Sequence, residues 1–174
     1  VVDLLTTGPS ARGPAFGPMA EVVLQSTQHL SDADLHAIAT YLQALPPRTP
    51  PHSSTAITDD DVELPQAGAK IYADRCADCH GKEGQGVAGV YPPLDGNAAV
   101  DEPTGINIVR VVLLGGFAPT TAVDPRPYSM PPFAQQLNDH DVAAVASYVR
   151  QAWHNHAGAV QPGDVAKYRH TPVD

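Results

Sequence analysis

The stretch Cys76-Ala77-Asp78-Cys79-His80 decides how the rest of the chain is interpreted. Two cysteines separated by two residues, with histidine directly after the second, form the attachment sequence for a c-type haem. The two thiols would form thioethers with the porphyrin, and the imidazole of His80 would be the proximal ligand of the iron. The motif therefore predicts one covalent haem c, attached through Cys76 and Cys79.

The cysteine pair has three alternative roles. A dithiol redox motif usually lies near a βαβ pattern, and no strand pattern precedes Cys76. Half a zinc site would need a second cysteine pair, whereas the chain has only two cysteines. A disulfide between cysteines so close in sequence closes a small loop that stabilises little. Haem attachment is the favoured interpretation.

The second axial ligand is expected further along the chain. The only methionines are Met19 and Met130, and the latter stands in Tyr128-Ser129-Met130-Pro131-Pro132-Phe133. Prolines fix φ and oppose a helix, which favours a stiff loop. A single methionine is more often a core residue, but methionine opposite histidine is an established ligand pair for haem c. We expect Met130, and not Met19, to bind the iron opposite His80.

Composition and charge restrict the function classes. The 174 residues carry a formal charge of −9, which argues against nucleic acid and against an anionic membrane surface, and favours a partner protein with a basic patch. Aromatic residues make up only 6%, so a haem would supply part of the apolar mass of the core. No apolar run approaches the ~20 residues that span a bilayer.

The compartment is inferred indirectly. The chain begins at Val1 without a basic, apolar leader, so we expect a mature or trimmed product. Haem is normally attached to such a cysteine–histidine motif outside the cytoplasmic membrane. The expected location is therefore the periplasm, either free or peripheral on the inner membrane.

The chain divides into four predicted parts. Residues 1–45 hold an apolar helix that stops at Gly8-Pro9, a Gly/Pro-rich loop and a helix capped by Ser31. Residues 46–64 form a Pro-rich linker. Residues 65–157 form the haem domain, with a first helix from about Pro65, a middle helix closed by Gly115-Gly116 and a last helix capped by Asn138. Residues 158–174 are a tail with little periodicity, expected on the surface.

An internal repeat explains the first part. Residues 30–42 align without gaps on residues 137–149, and most pairs are identical or similar. Residues 1–45 are therefore predicted to be the helical back half of a second haem domain that lacks its attachment half. Their apolar stripe, Leu35, Ile38, Tyr41 and Leu42, should pack on the haem domain or on a second copy of the chain. Trimming within the linker should alter self-association but leave the haem spectrum unchanged.

Residues 67–153 resemble class I c-type cytochromes, on Gly68, Tyr72, the haem motif, Met130 and Tyr148. The resemblance implies an all-α fold in which Gly68, Tyr72 and Tyr148 pack where the first and last helices cross.

The whole chain is similar to the C-terminal portion of the multihaem cytochrome subunit of membrane-bound alcohol dehydrogenase complexes, and to the cytochrome subunits of gluconate and sorbitol dehydrogenases. Phe16-Gly17-Pro18-Met19 and Tyr91-Pro92-Pro93-Leu94-Asp95-Gly96-Asn97 carry this similarity. It implies a dehydrogenase as partner and electron flow towards quinone or an oxidase. Since this chain has one attachment motif, a three-haem relay is not implied for it.

The expected function is one-electron transfer through a low-spin haem, in a protein that is not itself an enzyme. The alternatives are a haem enzyme that acts on peroxide after Met130 dissociates, and a structural or docking fragment based on residues 1–45. The candidates for the apolar haem wall are Val87, Leu94, Val109, Leu113, Pro132 and Phe133. The weaker candidates for propionate contacts are Tyr91, Asn97 and Arg126.

Overall fold

The computed structural model describes residues 1–10, 12–46 and 59–171. Within these ranges the chain is mostly helical, as expected, with a single two-stranded antiparallel sheet. The helices are α1 (Val2–Thr7), α2 (Pro18–Gln25), α3 (Asp32–Ala44), α4 (Asp59–Arg75), α5 (Ala77–His80), α6 (Ile106–Leu114), α7 (Asp139–Gln151) and α8 (Pro162–Arg169), and the strands are β1 (Gly116–Phe117) and β2 (Ser129–Met130).

The crossing of α4 and α7 is the centre of the fold. A Cβ atom on Gly68 would lie 2.1 Å from the Ala144 carbonyl oxygen and 2.7 Å from Tyr148 Cβ, so only glycine allows this approach. Tyr72 is buried beside it, and its ring centroid lies 5.5 Å from that of Tyr148 and 5.3 Å from that of Trp153. The expected packing roles of Gly68, Tyr72 and Tyr148 are confirmed.

Helix α4 begins earlier than the sequence indicated. Proline is common in the first turn of a helix, which made Pro65 the natural start. The structure has the helix from Asp59, so the last part of the predicted linker is helical. Leu64 in this added turn is buried. The remainder of the predicted linker, residues 47–58, lies outside the described residues.

The C-terminal segment is part of the fold rather than a surface tail. Helix α8 packs against α6 and α7, and Val160 and Val165 belong to the main core. Arg169 forms an ion pair with Asp139 (2.6 Å) and also donates to the carbonyls of Ala134 and Leu137. The expectation that this segment lies over the surface was wrong for residues 160–169, because one buried face of a short helix leaves little periodicity to detect.

The N-terminal segment forms its own small helical unit. It contains α2, which the sequence did not predict, and Met19 lies in that helix with 44% of its surface exposed. The capping of α3 by Ser31 is confirmed. Of the predicted apolar stripe, Leu35 is buried, whereas Tyr41 and Leu42 are 66% and 46% exposed.

This unit lies against the haem domain. The backbone N–H of Ala98 donates to the Arg12 carbonyl at 3.0 Å, and Gln28 Nε2 donates to the Thr120 carbonyl at 3.2 Å. Residues 1–45 therefore contact the haem domain through the loop after α1 and through Gln28, whereas the predicted packing of the α3 stripe on the haem domain or on a second copy stays a prediction. Among the described residues, no helix combines the length and apolar character needed to cross a membrane.

Candidate haem site

One cavity brings the four predicted site residues together. Cys76, Cys79, His80 and Met130 all line a space of about 650 Å³. This volume lies within the ~300–1,000 Å³ of small-molecule and cofactor sites. Most of the remaining wall is apolar and includes Val87, Leu94, Ile108, Val111 and Phe133. The cavity has the character expected for a flat, largely apolar cofactor.

The imidazole of His80 is buried and oriented by a backbone carbonyl. His80 ends the short helix α5, is 8% exposed, and its Nδ1 lies 3.0 Å from the Pro92 carbonyl oxygen. A carbonyl only accepts, so Nδ1 carries the hydrogen and Nε2 keeps its lone pair. Burial lowers the pKa of His80, while the bond to Pro92 acts in the opposite direction. The lowered pKa favours the neutral imidazole, the form that a metal requires.

The loop that carries Pro92 is fastened to the end of α7 by Asn155. This fully buried side chain donates to the carbonyls of Leu94 and Val149 at 2.9 and 2.8 Å, and accepts from the Gly96 N–H at 2.9 Å. Asn155 therefore holds the segment that orients His80. Sequence reasoning missed it, because a single asparagine after a helix gives no periodic signal.

The backbone of Met130 is held from both sides. In the sheet Met130 is the partner of Gly116, and a Cβ atom on Gly115 would lie 2.5 Å from the Met130 carbonyl oxygen. Downstream, the N–H groups of Phe133 and Ala134 donate at 3.0 and 3.2 Å to the carbonyls of Val112 and Leu113, in the last turn of α6. The thioether is thus presented by a stiff loop. Met19 instead lines a neighbouring cleft between α2 and α6.

The thiols differ from those of a dithiol redox centre. Burial and the neighbouring Cys79 raise the pKa of Cys76 to about 11. Reactive cysteines in redox motifs have lowered pKa values, so neither burial nor charge activates the Cys76 thiol. Within the described residues, no group of three or more His, Cys, Asp and Glu side chains could hold a metal ion. The donor set fits haem attachment with axial ligation.

The predicted haem wall was partly wrong. Val87, Leu94 and Phe133 line the cavity, whereas Val109 and Leu113 are buried in the main core. Helix α6 is apolar on most sides, so hydrophobic periodicity could not tell which face meets the cavity. Its lining residues are Asn107, Ile108 and Val111, and Pro131 lines the cavity in place of Pro132.

The three candidates for propionate contacts lie in two different places. Tyr91 and Asn97 line the cavity, and Arg126 lines the neighbouring cleft. Asn97 is buried and its amide is already used, since Nδ2 donates to the Pro93 carbonyl at 2.8 Å and Oδ1 accepts from the Ala99 N–H at 2.9 Å. Asn97 therefore shapes the wall of the cavity.

Comparison with known proteins gives one family. The cytochrome c family profile matches residues 65–153. The chain is 38% identical, over 182 residues, to the cytochrome c subunit of alcohol dehydrogenase (quinone) from Gluconobacter oxydans (strain 621H), covering 98% of this chain and 37% of that protein. It is 37% identical to the gluconate 2-dehydrogenase cytochrome c subunit of Pantoea cypripedii, over 96% of this chain and 40% of that subunit.

A shorter relative matches about half of the chain. Cytochrome c-552 of Thermus thermophilus is 41% identical over 90 residues, which are 49% of this chain and 67% of that protein. The chain thus spans well under half the length of the two dehydrogenase cytochrome subunits, but 67% of the length of this cytochrome. Since the family profile covers more than half of the chain, including the attachment motif, the chain belongs to the cytochrome c family of electron-transfer haem proteins.

Proposed function

We propose that this chain transfers single electrons through one haem c, attached at Cys76 and Cys79 and ligated by His80 and Met130. The observation that carries the proposal is the common cavity lined by these four side chains. When bound, the haem would supply a reversible one-electron change between ferric and ferrous iron.

The chain's own residues keep the site unchanged during electron transfer. The Pro92 carbonyl orients His80, and the sheet pairing and α6 contacts hold the backbone of Met130. His80 and Met130 would hold the iron as its two protein ligands, which would leave no iron position for substrate. The apolar wall limits water near the iron and so favours the less charged, ferrous state. Peroxide chemistry, which would need Met130 to dissociate, finds no support in this arrangement.

The proposed partner is a dehydrogenase, and the proposed compartment is the periplasm. Two relatives are named as cytochrome c subunits of alcohol and gluconate dehydrogenases. With a formal charge of −9, the chain would dock on a basic patch of such a partner, and the contact would weaken as salt rises. Electrons would then pass on towards quinone or an oxidase.

Residues 1–45 are proposed to be the back half of another haem module. Helix α3 repeats the sequence pattern of α7, and Tyr41 and Leu42 on α3 are exposed where their counterparts Tyr148 and Val149 are covered or partly covered. Helix α4 begins at Asp59, and α8 packs against α6 and α7. Both observations support a haem module that extends over residues 59–171. The exposed part of the stripe, Tyr41 and Leu42, remains the proposed surface for self-association.

The experiment is an intact mass combined with an absorption spectrum. We expect one haem per denatured chain and a weak far-red charge-transfer band of methionine-ligated ferric haem in the native protein. Met130→Ala should abolish this band and Met19→Ala, the matched control, should keep it. A mass equal to the bare polypeptide would exclude covalent attachment, and loss of the band in Met19→Ala alone would assign the ligand to the other methionine.

A further inference from the structure

Part of the haem cavity is built by the N-terminal unit. Pro14, Ala15 and Phe16 line the same space as His80 and Met130. These residues precede α2 and belong to the segment that the repeat assigns to a different module. They contribute no metal ligand, and nothing in the attachment motif predicted their presence at this wall.

The strip of residues 12–16 is fastened to the haem domain. The Ala98 N–H donates to the Arg12 carbonyl at 3.0 Å, and a Cβ atom on Gly13 would lie 2.5 Å from Asn97 Oδ1. Gly13 has a φ of +125°, a conformation that suits glycine. Ala15 is 4% exposed and its N–H donates to the Gly8 carbonyl at 2.6 Å. The strip is therefore a fixed wall.

Resting on the proposed function, we propose that the strip of residues 12–16 is an integral wall of the haem site, through which the neighbouring module sets the redox potential. Ferric haem carries one more positive charge than ferrous haem. Apolar side chains that exclude water disfavour the more charged state and raise the potential. Phe16 and Pro14 act in this way while Met130 ligates the iron independently of them.

This proposal changes the effect expected when residues 1–45 are removed. The sequence alone predicts that removal of residues 1–45 leaves the haem spectrum unchanged. With the strip as a wall, the methionine band persists in the trimmed chain but the midpoint potential falls. The spectrum and the midpoint potential thus respond differently. The methionine band depends on the iron ligands alone, whereas the potential depends on the ligands and also on the surroundings of the haem.

The test uses two matched pairs of variants in the full holoprotein. Phe16→Ala opens the wall, whereas Val22→Ala removes a 41% exposed side chain of α2 that lines neither cavity. Gly13→Ala and Gly17→Ala both place a side chain at positive φ (+125° and +57°), but only the first meets Asn97, since nothing lies within 4 Å of a Cβ on Gly17. The readouts are the midpoint potential by redox titration and the affinity for imidazole, an external iron ligand.

Phe16→Ala and Gly13→Ala should lower the potential and bind imidazole several-fold more tightly, while both controls match the parent protein. If the potential and the imidazole affinity of all four variants equal those of the parent, the strip is not part of the site and the inference is overturned. Equal shifts in each variant and its control would overturn it too. A parent chain without covalent haem would instead refute the proposed function, so the two failures are distinguishable.

Discussion

Helices α3 and α7 share one sequence pattern but lie in different surroundings. Residues 30–42 and 137–149 align without gaps, and both helices begin at a capping side chain, Ser31 or Asn138. On α7, Ala144 is fully buried beneath α4, whereas its counterpart Ala37 on α3 is exposed. An amphipathic pattern therefore predicts that a helix forms and which of its faces is buried first. Whether further faces of the helix are also buried depends on which other elements pack against that helix.

The largest expected difference in stability between matched substitutions in the two copies is at Arg150 and its counterpart Gln43. Arg150 is 1% exposed, and burial lowers its pKa, whereas Gln43 is exposed. The guanidinium donates to four backbone carbonyls, those of Gly158 (2.7 Å), Val100 (2.7 Å), Glu102 (2.7 Å) and Pro103 (3.3 Å). It joins the segment before α6 to the segment after α7.

Arg150→Ala would leave these carbonyls without their donor and open a cavity. We expect the free energy of unfolding to fall by about 3 kcal/mol or more, since hydrogen bonds to a charged group contribute ~1.5–3 kcal/mol. Gln43→Ala should change it by less than ~0.5 kcal/mol, as usual for an exposed position. Urea denaturation of the holoproteins measures both, and equal losses would contradict the contrast between the two copies.

A smaller difference is expected at Ala144 and Ala37. Ala144→Leu adds three carbons where α4 approaches α7, so overpacking should lower the free energy of unfolding by about 1–3 kcal/mol. Ala37→Leu should be within ~0.5 kcal/mol of the parent, because that face of α3 is exposed. Denaturation midpoints at two protein concentrations test this. A cost at Ala37 that rises with concentration would mean that a second copy covers α3.

The parts that the sequence predicted well depend on local chemistry. The capping of α7 needs one residue type at one spacing, so it can be recognised without the fold, and the Gly68 crossing was implied by the family resemblance. The attachment motif is recognised by its spacing in the same way, and haem attachment stays a prediction. The cavity face of α6 could not be recognised, because the helix is apolar on both its core side and its cavity side. Arg150 and Asn155 were missed because buried polar side chains find partners that are distant in sequence.

The wall formed by Phe16 could not be predicted for a related reason. It depends on how two units meet, and the repeat alignment treats each unit by itself. The sequence also indicated a Gly/Pro-rich loop that reaches Met19, whereas the structure has a helix there. Proline at the first position of α2 starts that helix, although Gly17-Pro18 in sequence also favours a turn. The two copies therefore share a sequence pattern but differ in geometry at their methionines.

The smallest expected difference concerns the C-terminal ends of the two helices. After α7, the carboxylate of Asp95 accepts from the His154 N–H and ring Nδ1, each at 3.0 Å, and this ties the end of the helix to the loop that carries Pro92. Helix α3 ends at Ala44, and its C-cap residue Leu45 is exposed. The side-chain and backbone hydrogen bonds from His154 lower the pKa of Asp95.

A lowered pKa makes the contact sensitive to acid. The stabilisation is complete above the pKa of an unfolded aspartate, ~3.9, and is lost as the pH falls through the lower folded value. Asp95→Asn should therefore unfold more readily than the parent near neutral pH, and the difference should shrink as the pH is lowered below ~4. The measurement is the urea midpoint of the two proteins across this pH range. His154→Ala keeps the backbone N–H and should give an intermediate pH dependence; parallel curves for the parent and Asp95→Asn would show that the contact does not hold the end of α7.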